Sequence, residues 1–285
     1  MRLLPRWFWL ASVLLGCNPQ LHAELSPPNA AGVAMGHLHY FVRDVEANKR
    51  FWVALGGTEG RFGATTTVSF PGVQVFLREA ESAGNTEGSV VNHVAFRVQS
   101  LAEIEARGFE MHYNEAYPGI ASVLTPGGER IELFDDQLAT NIGFTAEAGL
   151  GTATTERHNR GLSEPIVSHH IHLYLPDDQV AAAQAWYVRH FGAVPGKRWR
   201  YDAADLPGIN LNFSATDSTM APTRGRMLDH IGFEVTDLEA FCAALEAQGI
   251  RFDNPYRRLP SGLGLAFLTD PWGTTIELTE GLREP

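Results

Sequence analysis

Gly36-His37-Leu38-His39-Tyr40-Phe41-Val42-Arg43-Asp44 places two histidines on one side of an alternating strand and ends on a residue suited to cap a helix. The same spacing, histidine to cap in seven positions, recurs at His93 and Ser100, His170 and Asp177, and His230 and Asp237. After each cap comes a short helix-like stretch stopped by a glycine, at Gly56, Gly108, Gly192 and Gly249. Cap and glycine set the register without reference to the histidines. Their alignment in all four segments therefore carries separate information, and the chain reads as a fourfold repeat.

The ends of the segments repeat as well. A glycine begins each closing strand, at Gly72, Gly128, Gly208 and Gly273, and the residue four further on is Phe76, Glu132, Asn212 and Glu277. Each copy reads as a strand, a helix and three more strands, so the fold class is α+β, built of four βαβββ modules. Grouping neighbours in sequence gives a first domain over 35–136, a linker over 137–165 that carries no convincing period, and a second domain over 166–281.

If two modules join their sheets into one concave surface, the opening-strand histidines of both and the closing-strand carboxylate of the second converge. Sequence neighbours then supply His37, His93 and Glu132 in the first half and His170, His230 and Glu277 in the second. Two histidines and a carboxylate on one face of a divalent ion leave coordination positions open, which suits Fe(II) or Mn(II), with Zn(II) or Ni(II) also compatible. Phe76 and Asn212 stand where a fourth ligand would close the site. His39 and His172, two residues beyond a ligand candidate on the same face, are candidate acid/base groups, and Tyr174 lies nearer the rim. Arg257 and Arg258 precede a Pro-Ser-Gly loop and are candidates to meet an anionic substrate.

A formal charge of −11 and a pI near 5.4, with no Lys/Arg cluster, argue against a nucleic-acid partner and leave a small molecule as the expected one. Residues 1–23 read as a secretory signal: Arg2 and Arg6 precede an apolar run, Trp7 to Leu15, that is too short to span a bilayer. Leu14-Leu15-Gly16-Cys17 resembles a bacterial lipobox, in which Cys17 is lipidated and anchors the chain. Leu21-His22-Ala23 offers an ordinary cleavage site, so the expectation is an exported protein, periplasmic or membrane-anchored, with 24–34 as a tether. Of the two cysteines, Cys242 falls on an apolar helix face with Leu238, Phe241 and Leu245, which excludes a disulfide framework.

The segments Gly36–Asp44, Asn92–Val98, Asp229–Asp237 and Asp270–Leu278 resemble the vicinal oxygen chelate superfamily, which includes glyoxalase I, extradiol dioxygenases and bleomycin-binding proteins. The resemblance covers nearly everything from 35 to 280 and implies two domains with concave mixed sheets. It implies a metal-dependent enzyme acting on a small oxygen-chelating substrate, with extradiol-type oxidation leading. The other readings are a glyoxalase-type lyase, isomerase or epimerase, and a metal-free binding protein. Four modules in one chain are most similar to the two-domain extradiol dioxygenases, whose ligands carry over by position to His170, His230 and Glu277. The tyrosine of that family's signature corresponds here to Phe267.

Overall fold

A computed structural model describes residues 24–150 and 157–283. The lipobox, Cys17 and the signal-like run lie outside them.

The four βαβββ modules form as read. The first runs β1 (Val33–Val42), α1 (Val45–Leu55), β2 (Thr58–Phe62), β3 (Thr65–Phe70) and β4 (Val73–Glu79). The second is β5 (Val91–Val98), α2 (Leu101–Ala106), β6 (His112–Tyr113), β7 (Ile120–Leu124) and β8 (Arg130–Asp135). After β9 (Thr145–Ala146), the third is β10 (Ile166–Leu175), α3 (Val180–Phe191), β11 (Val194–Arg198), β12 (Tyr201–Leu206) and β13 (Ile209–Ala215). The fourth is β14 (Leu228–Val235), α4 (Leu238–Ala247), β15 (Phe252–Arg258), β16 (Gly264–Thr269) and β17 (Thr275–Glu280). Among the described residues no helix is long and apolar enough to cross a membrane.

The modules do not pair as neighbours in sequence. An eight-stranded sheet in the order β15-β16-β17-β14-β1-β4-β3-β2 joins the fourth module to the first. A nine-stranded sheet, β6-β7-β8-β5-β10-β13-β12-β11-β9, joins the second to the third. The seams are antiparallel pairs of opening strands, β1 on β14 and β5 on β10. This corrects the grouping of 35–136 and 166–281 as two separate domains, because each sheet takes one module from each half.

Small residues face the histidines across both seams: His37 lies opposite Gly232, where a Cβ would meet the His37 ring, and His170 lies opposite Ala95.

In each module the closing strand runs parallel to the opening strand, with β4 beside β1 and β17 beside β14. Alternation then sends His37 and His39 to one face and Leu38 and Tyr40 to the other, where both are buried. The apolar faces and helices of both sheets merge into one core. Trp52 of α1 lies 5.8 Å from Phe96 of β5, and Phe191 of α3 lies 5.0 Å from Phe233 of β14, ring centre to ring centre. Cys242 of α4 is buried in that core, as its helical spacing predicts.

Two connecting segments are more structured than their composition suggests. In the 24–34 stretch, expected to be a tether, Leu25 is buried and the Asn29 amide donates to the carbonyls of Phe191 and Gly192, at 2.9 and 3.0 Å. The 137–165 linker adds β9 to the edge of the nine-stranded sheet through pairing with β11, and it buries Phe144 and His158.

Candidate metal centres

The six ligand candidates converge as two triads, partitioned by the sheets rather than by the halves of the sequence. In the eight-stranded sheet, Glu277 Oε2 lies 3.0 Å from His37 Nε2 and 2.9 Å from His230 Nε2. In the nine-stranded sheet, His93 Nε2 lies 3.2 Å from both His170 Nε2 and Glu132 Oε2, and His170 Nε2 is 3.7 Å from Glu132 Oε2. The expected sets His37/His93/Glu132 and His170/His230/Glu277 are thus exchanged for His37/His230/Glu277 and His93/His170/Glu132, as the seam dictates.

The donor spacing fits a metal. Ligands bound at about 2.1 Å with angles between a right angle and a tetrahedral one stand roughly 3.0 to 3.4 Å apart, and the separations in the two clusters, 2.9 to 3.7 Å, bracket that range. The protonation states also fit, because metals bind neutral imidazole and ionised carboxylate. Burial holds His37 below its usual pKa, and burial together with Arg198 holds His170 well below it. Burial works to raise Glu132, but His93, Arg130 and Arg198 outweigh it and keep the carboxyl below its usual range. Burial likewise opposes ionisation of Glu277, and His230 and His37 overcome it.

Neighbours orient the rings. His230 Nδ1 lies 2.6 Å from Asp229 Oδ1, and His93 Nδ1 lies 2.8 Å from Asn92 Oδ1, so the residue just before each histidine turns Nε2 toward its glutamate. Burial tends to lower His230, but Asp229 and Glu277 more than compensate and raise it. In that state, without metal, both rings donate to Glu277. His170 Nδ1 is 3.1 Å from His169 Nδ1, Arg198 Nη1 contacts both ring nitrogens of His169, and His169 Nε2 lies 3.2 Å from the Ile142 carbonyl.

His39 and His172 join the clusters. The ring nitrogens of His37, His39 and His230 and a Glu277 oxygen all lie within 4.8 Å of one another, as do nitrogens of His93, His170 and His172. Neither His39 nitrogen has a hydrogen-bond partner, and burial beside His230 and His37 holds the ring down to about 3. His172 Nε2 pairs with Ser214 Oγ at 2.7 Å, and burial and His93 keep the ring well below its usual value.

The two centres differ in their surroundings. Phe76 stacks on His37 at 4.7 Å and belongs to an apolar cluster with Leu25, Leu282, Phe62 and Leu263. The nine-stranded centre opens into a cavity of about 220 Å³ lined by His93, Glu132, His170, His172, Asn212 and Tyr174. Three arginines, Arg130, Arg198 and Arg200, line the same cavity.

Arg257 and Arg258, the sequence candidates for an anion, lie on edge strand β15 of the other sheet. Arg258 is engaged by Glu280 at 2.7 Å, and neither residue lines this cavity. The cavity arginines escaped sequence reading because Arg130 is far in sequence from the other two and none falls at a repeated offset from a cap or a glycine. The run Arg198-Trp199-Arg200-Tyr201 was the available signal for two of them.

Two pairs of βαβββ modules, each with histidines on the opening strands and a glutamate on one closing strand, give each sheet a cluster that could hold a metal ion. Residues 168–278 match the Glyoxalase/Bleomycin resistance protein/Dioxygenase superfamily. That match takes in the third and fourth modules, and over most of its length the chain shares its fold with solved structures. Glyoxalase I from Zea mays is 16% identical, with a TM-score of 0.58 over 87% of this chain and 92% of that one. A candidate dioxygenase from Bacillus subtilis subsp. subtilis str. 168 is 13% identical, with a TM-score of 0.56 over 92% of this chain and 87% of that one. No curated protein matches the chain.

Proposed function

We propose that the chain is a divalent-metal enzyme working in the cleft of the nine-stranded sheet, with His93, Glu132 and His170 as ligands. The carrying observation is the cavity: triads exist in both sheets, and this one lines a 220 Å³ cavity together with three arginines. A divalent ion bound there would act as a Lewis acid, fixing neighbouring oxygens of a small substrate and polarising them.

The surrounding residues have separate tasks. Asn92 and His169 keep the ligand rings turned inward. His172, neutral and held by Ser214, is placed to accept or return a proton, and Tyr174 borders the substrate space. Asn212 leaves the fourth position without a strong ligand, so substrate and a second small molecule have room at the metal. That openness favours oxygen-dependent oxidation with Fe(II) or Mn(II). The neutral His172 favours proton-transfer chemistry of the isomerase or lyase kind as the second reading, for which Zn(II) or Ni(II) suffices. The His37/His230/Glu277 centre is read as a metal site that braces the seam between modules one and four. The protein is further read as exported, with Cys17 as the lipid attachment point; palmitate label in wild type but not in Cys17→Ser tests this, and label in neither sinks the anchor.

The experiment for the main reading is metal stoichiometry with oxygen uptake on catechol. Wild type should bind about two ions per chain. His93→Ala and Glu132→Ala should each lose one ion and at least about 100-fold in turnover, by removal of a ligand. His230→Ala and Glu277→Ala should lose the other ion and keep turnover. Metal-dependent turnover without oxygen uptake selects the proton-transfer reading. A chain that binds no Fe(II), Mn(II), Zn(II) or Ni(II) is a binding protein instead.

A further inference from the structure

The nine-stranded cavity carries an excess of positive charge that the protein does not neutralise. Its lining includes one carboxylate, Glu132, and three arginines. Arg198 is the unusual one. It is 2% exposed, its Nε donates to Asn210 Oδ1 at 3.3 Å and its Nη1 donates to His169, while Nη2 meets no acceptor among the described residues. The buried Asp205 does not hydrogen-bond to it, since Asp205 Oδ1 accepts instead from Arg157, His158 and Asn210. A buried guanidinium with an unmet donor is costly unless something else supplies the acceptor.

The other two arginines also face the cavity. Arg130 Nη2 donates to Asn92 Oδ1 at 2.8 Å and lies 2.6 Å from His93 Nδ1, its Nη1 is 3.6 Å from Glu132, and Arg200 rests over the Trp199 ring at 4.1 Å and donates to the Tyr201 hydroxyl at 3.1 Å. Trp199 holds a left-handed φ of 49°, a strained conformation that sets the arginine-bearing turn beside Tyr117, 5.0 Å away, and Tyr201. A divalent ion at the triad would add to the positive charge. The ligand that balances such a cavity is a small anion, and a volume of about 220 Å³ falls below the usual range for drug-sized ligands.

We propose that this cavity selects a small carboxylate. Its acid group pairs with Arg198 Nη2, helped by Arg130 and Arg200, while neighbouring oxygens of the same molecule face His93, Glu132 and His170. The second half of this statement rests on the proposed metal-enzyme reading; the first half does not.

Calorimetry on the full chain separates them, with benzoate, benzamide, catechol and 2,3-dihydroxybenzoate as probes. Metal-free protein should bind benzoate at least 10-fold more tightly than benzamide. The Zn(II)-loaded protein should prefer 2,3-dihydroxybenzoate to catechol by a similar factor. Arg198→Met should abolish both preferences at unchanged zinc content, and Arg198→Lys should restore part of them. Equal binding of benzoate and benzamide by wild type overturns the proposal without needing any variant to fold. So does an Arg198→Met chain that loses zinc but keeps the preference, since Arg198 would then act only by holding His169. A benzoate preference in a chain that binds no metal supports the carboxylate subsite and removes the enzyme reading. Metal binding without the preference does the reverse.

Discussion

Gly232 shows how much one side chain decides. It faces His37 across the seam with no room for a methyl group, the built Cβ lying 2.1 to 2.6 Å from the ring atoms. Gly232→Ala should turn His37 out of its cluster, so the chain loses the ion of the eight-stranded centre and keeps that of the nine-stranded one. Metal analysis reads this directly, and two ions retained at wild-type affinity would mean that His37 is no ligand. All six ligand candidates were legible because a histidine and a glutamate at fixed offsets from a cap and a glycine form a local pattern. Asn92 and Asp229 were legible only as neighbours. Their contact with the ring nitrogen depends on how the strand seats each histidine, which spacing does not encode.

At the scale of elements, the caps test how far a local signal reaches. Asp44 takes the extended conformation and its side chain accepts from the Ala47 amide at 2.8 Å, an N-cap as read from the sequence. Asp237 also accepts from the Ala240 amide, at 3.4 Å, but from a left-handed conformation. Asp177 was expected to match them and does not. Pro176 precedes it, residues 177–179 form a tight 3-10 turn, and α3 begins at Val180 with no side-chain cap. Ser100 sits at the start of α2 without a cap bond as well. Asp44→Ala should therefore cost about 1 kcal/mol of stability, and Asp177→Ala close to none, read by denaturant unfolding of the metal-free protein. Equal losses would place a capping bond at Asp177 in solution. The helix-stopping glycines fare better than the caps, since Gly56, Gly108, Gly192 and Gly249 all take positive φ, a requirement of the chain itself that needs no partner.

The whole molecule concentrates neutral histidines in its interior, and this sets its response to acid. His39 is held down to about 3 and His158 to about 4, each chiefly by burial; His169, His170 and His172 are lowered well below 6.5 by burial and by neighbouring positive charge. The unfolded chain takes up protons at these positions near pH 6.5, and the folded chain does not. Their contribution is therefore complete above about pH 7 and is lost as pH falls from 6.5 toward the folded values. His230, raised in the fold, works in the opposite direction, but one group opposes seven, since His37 and His190 are lowered by burial as well. The metal-free protein should melt at least about 5 °C lower at pH 5 than at pH 7.5. A flat profile between those values would mean that these rings are solvated. Which modules share a sheet is a feature of the architecture that local patterns do not carry, because all four opening strands offer similar edges with small residues facing the histidines. The consequence reaches the whole chain. A fragment of residues 24–148 holds β1 and β5 without their partners β14 and β10, and the fragment 157–283 holds those partners alone. Neither should fold by itself, since each fragment holds opening strands without their seam partners. Together they should assemble one to one, with both triads rebuilt across the break and both ions bound. Gel filtration, circular dichroism and metal analysis of the separate and mixed fragments would show it, and a lone 24–148 fragment that folds as a metal-bearing monomer would mean that neighbouring modules form the cleft after all.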